Sequence, residues 1–331
     1  MEPTMTRTRL GMTDLEVSRI AFGTWQVGGE WGEFDRGEAI AAIRHARDLG
    51  IDIFDTAQAY GFGASERLLG EALRDDLDRR RDEVVIATKG GLRMDEDEGL
   101  VRDSSPAWLR SGVEQSLRAL ALDHIDLYQV HWPDPETPFA DTAGALQELV
   151  DEGKVRHVGV SNYDADQMSE FARTRPVETL QPLYNLFQRE VEDETLPYAR
   201  ENDIGVLVYS PLAHGLLTGA MDHDTSFGPG DWRTLSPLFK DETFRRNLEM
   251  VDRLQGFAAD ELGCTVGQLA IAWTLANPAV HVAIVGSRRA AHIKEAVGAV
   301  GVRLSEDHLA RIEEIVAGAP RAKGPHPEMA G

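Results

Sequence analysis

Apolar and polar positions follow two interleaved rhythms along this chain. Short runs such as Ile51-Asp52-Ile53-Phe54, Val84-Val85-Ile86-Ala87 and Ile125-Asp126-Leu127-Tyr128-Gln129-Val130 have strand character. Between such runs lie longer stretches with helical spacing, as in Ala39, Ile40, Ala42, Ile43, Ala46 and Leu49. Alternation of this kind predicts repeated β-α units around a parallel sheet. Eight strands are expected near 20–24, 52–55, 84–88, 126–131, 157–160, 179–182, 205–209 and 282–285. Helices are expected near 36–49, 64–79, 105–120, 138–152, 165–174, 192–201, 266–276 and 289–300. Gly50 suits the end of the first helix, and Ser105-Pro106 suits the start of the third.

Eight such units predict a (β/α)8 TIM barrel, a single domain over residues 1–331. Residues 7–18, around Gly11-Met12-Thr13-Asp14, read as a hairpin that plugs the N-terminal end of the barrel. Residues 210–243 form a long Gly- and Pro-containing loop after strand seven, of the length that functional lids have. Two extra helices are expected at 244–262 and 305–317, and 320–331 reads as a loose tail.

On such a barrel every strand ends on a polar or aromatic group. Thr24 and Trp25 follow strand one, Asp55 strand two, Lys89 strand three and His131 strand four. Ser161 and Asn162 follow strand five, Gln181 strand six, Tyr209 strand seven, and Gly286 with Ser287 strand eight. The C-terminal ends of barrel strands are where such enzymes hold their chemistry. An acid, a cation and an imidazole in register there point to a catalytic site.

Composition narrows the classes. The net charge of −22 excludes nonspecific nucleic-acid binding, which needs clustered Lys and Arg. No apolar stretch is long enough to span a bilayer, and Met1 to Arg9 lacks the apolar core of a signal peptide, so a cytoplasmic location is expected. The single Cys264 excludes an internal disulfide framework and reads as a packing residue. The acidic run Asp95-Glu96-Asp97-Glu98 reads as a solvated loop, and His45, His124, His157 and His281 show no metal-ligand spacing, so no metal is expected. Tyr60-Gly61-Phe62-Gly63-Ala64-Ser65-Glu66 has glutamate where a dinucleotide fingerprint has its third glycine.

The ordered segments Gly23-Thr24-Trp25, Asp55-Thr56-Ala57-Gln58-Ala59-Tyr60-Gly61, Thr88-Lys89, His131-Trp132-Pro133, Gly159-Val160-Ser161-Asn162, Gln181-Pro182-Leu183-Tyr184-Asn185, Tyr209-Ser210-Pro211-Leu212 and Gly286-Ser287-Arg288 resemble the aldo-keto reductase superfamily over nearly the whole chain. The resemblance implies a catalytic tetrad of Asp55, Tyr60, Lys89 and His131. It implies NADP(H) as cofactor, with Tyr209 stacked on the nicotinamide and Ser161, Asn162 and Gln181 on its carboxamide. Gly23, Thr24 and Trp25 would complete that end. Ser210, Pro211, Leu212, His214, Gly215 and Leu217 would lie along the pyrophosphate, and Gly286, Ser287, Arg288, His292 and Glu295 around the adenosine and its 2′-phosphate. His292 and Ala296 stand where many relatives carry Arg or Gln and Asn. Trp25, Trp132 and Trp232 would wall a pocket for an aldehyde, ketone or sugar derivative.

The chemistry of the four residues agrees. Hydride addition to a carbonyl leaves an alkoxide, which needs a proton donor and a polarising environment. Tyr60 is the expected donor. A free phenol, with a pKa of about 10, is a weak acid at neutral pH, and a nearby ammonium favours its ionised form. Lys89 would supply that charge and Asp55 would hold Lys89. The partner is then a small molecule, on a monomer or small homo-oligomer. The alternative is a nicotinamide-binding regulatory subunit of a membrane or multiprotein partner, like the barrel proteins that accompany potassium channels. A two-carboxylate hydrolase is disfavoured, because Asp55 is the only strand-end carboxylate.

Overall fold

The structure, a computed structural model, describes residues 5–28, 34–95, 99–228 and 231–319. It opens with the expected hairpin, β1 (Arg7–Arg9) antiparallel to β2 (Glu16–Ser18). Then come β3 (Ile20–Gly23), α1 (Arg36–Asp48), β4 (Ile53–Asp55), α2 (Ala64–Ala72), α3 (Arg74–Arg79) and β5 (Val85–Gly90). A second hairpin, β6 (Leu92–Met94) with β7 (Leu100–Arg102), precedes α4 (Pro106–Leu120) and β8 (Ile125–Val130). The series continues with α5 (Phe139–Asp151), β9 (Val155–Ser161), α6 (Ala165–Ala172), β10 (Thr179–Gln181), α7 (Thr195–Glu201) and β11 (Gly205–Val208). It ends with α8 (Asp241–Phe257), α9 (Val266–Ala276), β12 (Val282–Gly286), α10 (Ala290–Gly298) and α11 (Glu306–Val316).

Strands β3, β4, β5, β8, β9, β10, β11 and β12 close in that order into a parallel barrel, and β12 returns to β3 with Gly286 opposite Gly23. The two-residue period of each strand divides its side chains between two cores. Phe22, Phe54, Ile86, Val130 and Val160 face the helices. Ala21, Ile53, Val85, Ala87, Leu127, Leu207, Val282 and Ile284 fill the lumen, where Leu10, Leu15 and Val17 of the hairpin join them and close its base. Gly11 allows that close seat: its φ is +55°, and a Cβ there would strike the backbone nitrogen of Gly205. One period beyond the lumen's apolar rows, the same strand faces carry Asp55 after Ile53, Lys89 after Ala87, and Gln129 and His131 after Leu127. The site is thus the polar continuation of the core.

Several boundaries differ from the sequence reading. The helix expected over 64–79 breaks at Leu73 (φ −99°, ψ 11°), where a change of direction lets both Leu73 and Leu77 bury. The helix expected from 192 starts at Thr195, with Pro197 in the first turn, where proline is tolerated, and a 3-10 turn at Glu190–Glu192 ahead of it. The helix expected at 244–262 begins earlier, at Asp241, and ends in a π turn at Ala258–Leu262. The loop expected over 210–243 contains 3-10 turns at Ala213–Thr218, Trp232–Thr234 and Pro237–Phe239. The β6–β7 hairpin is an element beyond those expected from the sequence, where only Asp95 to Glu98 reads as a solvated loop. Asp95, just after β6, accepts from the Gly99 N–H at 2.6 Å. Residues 96–98 and the tail at 320–331 lie outside the described residues.

Candidate active site

At the C-terminal rim, Lys89 is 1% exposed and its ammonium donates to Asp55 Oδ1 at 2.6 Å and to the carbonyl of Thr56 at 3.0 Å. The second Asp55 oxygen accepts from Gln181 Nε2 at 2.8 Å. A buried ion pair survives only when its remaining bonding capacity is met, and here it is met from both sides. Tyr60 projects from the loop between β4 and α2. Its ring centroid lies 5.3 Å from Lys89 Nζ, and His131 stands edge-on to it at 5.7 Å. Gly61 (φ +60°) shapes that loop, since a Cβ there would strike the Gly28 carbonyl in the turn after β3. The structure thus brings the four expected residues together from β4, β5, the end of β8 and one loop.

Asp55, Tyr60 and His131 line the floor of a cavity of about 410 Å³, within the range of small-molecule and cofactor sites, with Lys89 buried behind them. One wall is a polar row: Tyr209 donates to Asn162 Oδ1 at 2.8 Å, Asn162 Nδ2 donates to the His131 carbonyl at 3.1 Å, and Ser161 donates to the Gln181 carbonyl at 2.8 Å. Gly23, Trp25, Ser210, Pro211, Leu212, His214 and Gly215 also line it. At the far end stand Gly286, Ser287, His292 and Glu295. There Ser287 Oγ accepts from Arg289 N–H at 3.0 Å and lies 3.3 Å from His292 Nδ1, beside the start of α10. Glu295 Oε1 accepts from Thr265 at 2.8 Å. Non-glycine residues with positive φ concentrate here: Phe62 (44°), Asn162 (62°), Ser210 (52°), Ala213 (46°) and His214 (57°) all sit on loops of this face. Strain of this kind clusters at functional sites.

Other expected residues lie elsewhere. Thr24 is buried and turned away from the cavity, donating to the Asp55 carbonyl at 3.1 Å and accepting from Ser65 at 2.6 Å. Leu217 is fully buried in the outer core. Trp132 does not line the cavity; the Arg102 guanidinium of β7 stacks on it at 5.2 Å. Trp232 lies on Trp25 (6.0 Å) and His214 (4.5 Å) outside the lining. Arg288 donates to the Gln26 carbonyl at 2.7 Å and stacks on Phe34 at 5.2 Å, also outside the lining. Conversely, Gln26, Arg233 and Gln268 line the cavity and were not singled out in the sequence. Gln268 is concealed because it also completes a capping box with Thr265. Arg233 sits in the irregular loop, paired with Asp231 at 2.6 Å and stacked on Phe227 at 4.3 Å.

Comparison with known proteins agrees with this geometry. Residues 19–317 match the aldo/keto reductase family. The chain is 41% identical to the aldo-keto reductase YhdN of Bacillus subtilis strain 168 over 94% of each protein. It is 35% identical to the NADH-specific methylglyoxal reductase of Escherichia coli K12, over 96% of this chain and all of that protein. A glycerol dehydrogenase from Gluconobacter oxydans superposes with a TM-score of 0.87 at 38% identity, covering 95% of this chain and 96% of that one. The chain therefore belongs to the aldo/keto reductase family, whose members are oxidoreductases that use nicotinamide cofactors. Among the described residues no helix is long and apolar enough to cross a membrane, and no group of three or more His, Cys, Asp or Glu side chains has metal-binding geometry.

Proposed function

We propose that the protein interconverts an aldehyde or ketone, sugar derivatives included, and the corresponding alcohol with NADP(H), with Tyr60 as general acid and base. The observation that carries this reading is the Lys89 ammonium, paired with buried Asp55 and 5.3 Å from the centre of the Tyr60 ring, beside a cavity that Asp55 and Tyr60 line. The cavity suits an extended dinucleotide. A tyrosine anchored by Asn162 offers a flat face at one end, Gly215 (φ 98°) keeps a turn of backbone open at the middle, and Ser287 with the start of α10 offers anion-binding groups at the other.

When bound, the nicotinamide supplies or accepts the hydride. Tyr60 donates its phenolic proton to the carbonyl oxygen as that oxygen becomes an alkoxide. The Lys89 charge stabilises the phenolate left behind, Asp55 holds Lys89, and His131, edge-on to the Tyr60 ring, orients the oxygen. Arg288, anchored on Gln26 and Phe34, would give a charge-assisted contact to a 2′-phosphate. One relative is named as NADH-specific, and another, from Schizosaccharomyces pombe and 34% identical, is named for NADP(+). Cofactor choice is therefore tested beside activity. The experiment is a panel of aldehydes, ketones and sugars followed by nicotinamide absorbance with each cofactor. Turnover with NADPH is expected, and no turnover with either cofactor across the panel would overturn the reading.

A further inference from the structure

The dipeptide Ser65-Glu66 at the start of α2 takes no part in the reaction described above, yet each side chain is fully buried and reaches toward it. The Ser65 hydroxyl donates to Thr24 Oγ1 at 2.6 Å and lies 3.1 Å from Thr56 Oγ1, and Thr24 Oγ1 donates in turn to the Asp55 carbonyl at 3.1 Å. A chain of three hydroxyls therefore runs from Thr56 through Ser65 and Thr24 back to Asp55. It encloses the strand end whose Thr56 carbonyl receives the Lys89 ammonium. The backbone N–H of Ser65 also donates to the Tyr60 carbonyl at 3.2 Å. Glu66 Oε1, on the neighbouring residue, accepts from Thr88 Oγ1 at 2.7 Å, and Thr88 immediately precedes Lys89. Two adjacent residues of one helix thus hold neighbours of Asp55 and Lys89 and the backbone of Tyr60.

We propose that Ser65 and Glu66 are positioning residues for carbonyl reduction, setting the separation between the Lys89 ammonium and the Tyr60 phenol by tying the Tyr60 loop, the Asp55–Thr56 strand end and Thr88 to the start of α2. The proposal rests on the assignment of Tyr60 as proton donor. Phenolate stabilisation by a charge falls with distance, and a displacement of about 1 Å at a reacting group costs as much as a hundredfold in rate. Burial raises the Glu66 carboxyl above the ordinary carboxylate range, outweighing the hydrogen bonds from Ser116 and Thr88 and the charges of Arg67 and Lys89. A buried acceptor in that condition is costly to leave without its donor. The Thr88 contact is therefore a firm tether.

Ser65→Ala removes the centre of the hydroxyl chain, and Thr88→Val removes the donor to Glu66 with little change of shape. Both are compared with wild type and Tyr60→Phe for kcat, NADPH dissociation constant, melting temperature and the pH profile of alcohol oxidation. The expected result in each is a loss in kcat on the order of tenfold with unchanged NADPH affinity, and an oxidation profile displaced to higher pH because the phenolate is less well stabilised. Unchanged kcat and profile in both folded variants, whatever the melting temperature, would show that the contacts serve only stability and would overturn the proposal. Loss of NADPH affinity in proportion to kcat would overturn it as well. If Ser65→Ala does not fold, Thr88→Val alone decides. Wild-type turnover by Tyr60→Phe would instead sink the assignment of the proton donor, and this proposal with it.

Discussion

Tyr60 is the residue on which the chemistry turns. Tyr60→Phe removes one hydroxyl from a ring otherwise held by its neighbours, so the expected outcome is reduction slowed roughly 10²–10⁴-fold with NADPH binding retained. Steady-state kinetics and fluorescence titration check it, and near-normal reduction would make His131 the leading acid. Reduction consumes the phenol and oxidation the phenolate, so in wild type the first falls and the second rises as pH increases. Lys89→Met acts by another route: the phenol survives but loses its stabilising charge, and Asp55 is left as an unpaired buried carboxylate. Breaking such a pair costs about 3–5 kcal/mol, so a clear drop in melting temperature should accompany the loss of rate. Arg288→Ala should weaken NADPH by about 1.5–3 kcal/mol and NADH little; equal affinities for both cofactors in wild type would refute that role. Residues reached by counting in twos along a strand, such as Asp55, Lys89 and His131, were legible in the sequence. The way Trp132 and Arg288 are turned was not. Their directions depend on Arg102 and Phe34, partners that only the folded chain supplies.

The hairpin at the base of the barrel is tied by a cluster that gives it a pH dependence. His157, at the start of β9, lies 2.6 Å from Glu178 through Nδ1 and 2.8 Å from Asp14, in the hairpin turn, through Nε2. Two carboxylate partners require an N–H on both ring nitrogens. Burial lowers the pKa of His157, but the bonds to Glu178 and Asp14 outweigh this and the net direction is up. Burial likewise raises Glu178, and bonds from His157 and the Val158 N–H carry it below the ordinary range. Asp14 is lowered by its bond to His157. The histidine contribution is complete below its unfolded pKa and is lost as pH rises through the folded one; the carboxylate contributions are complete above their unfolded pKa values and are lost as pH falls through the folded ones. The cluster is thus most stabilising between about pH 4.5 and 6.5. Thermal melts should show the advantage of wild type over His157→Gln widest there and shrinking toward alkaline pH; a gap constant across pH would refute it. The existence of the hairpin was legible from the short extended pieces on either side of Gly11-Met12-Thr13-Asp14, whereas this cluster joins positions 14, 157 and 178 and follows no local pattern. The loop after β11 offers a second test at this scale: NADPH should protect residues 213–240 from limited proteolysis, because a glycine-containing segment is costly to order without a ligand.

The net charge of −22 leaves like charges repelling across the whole molecule. Added salt screens such repulsion, so the melting temperature should rise between low ionic strength and about 0.5 M sodium chloride. A flat or falling midpoint would mean that the many surface ion pairs already balance the excess. The barrel itself was legible because eight strand-like runs were spaced by helical ones; the order in which the strands close could be expected only from the regularity of that repeat. Closure also has a consequence for how the molecule comes into being. The seam joins β3, the first strand of the barrel to be made, to β12, which ends at residue 286. A ribosome must therefore add some 260 residues after β3 before its final neighbour exists, and until then the growing chain carries an open strand edge able to pair with other chains. Folding that waits on so distant a partner is slow for reasons of topology alone. The hairpin that closes the base is synthesised before every strand of the barrel, so Leu10, Leu15 and Val17 are on hand to shield the inner faces of the early strands while the rest of the wall is still being made.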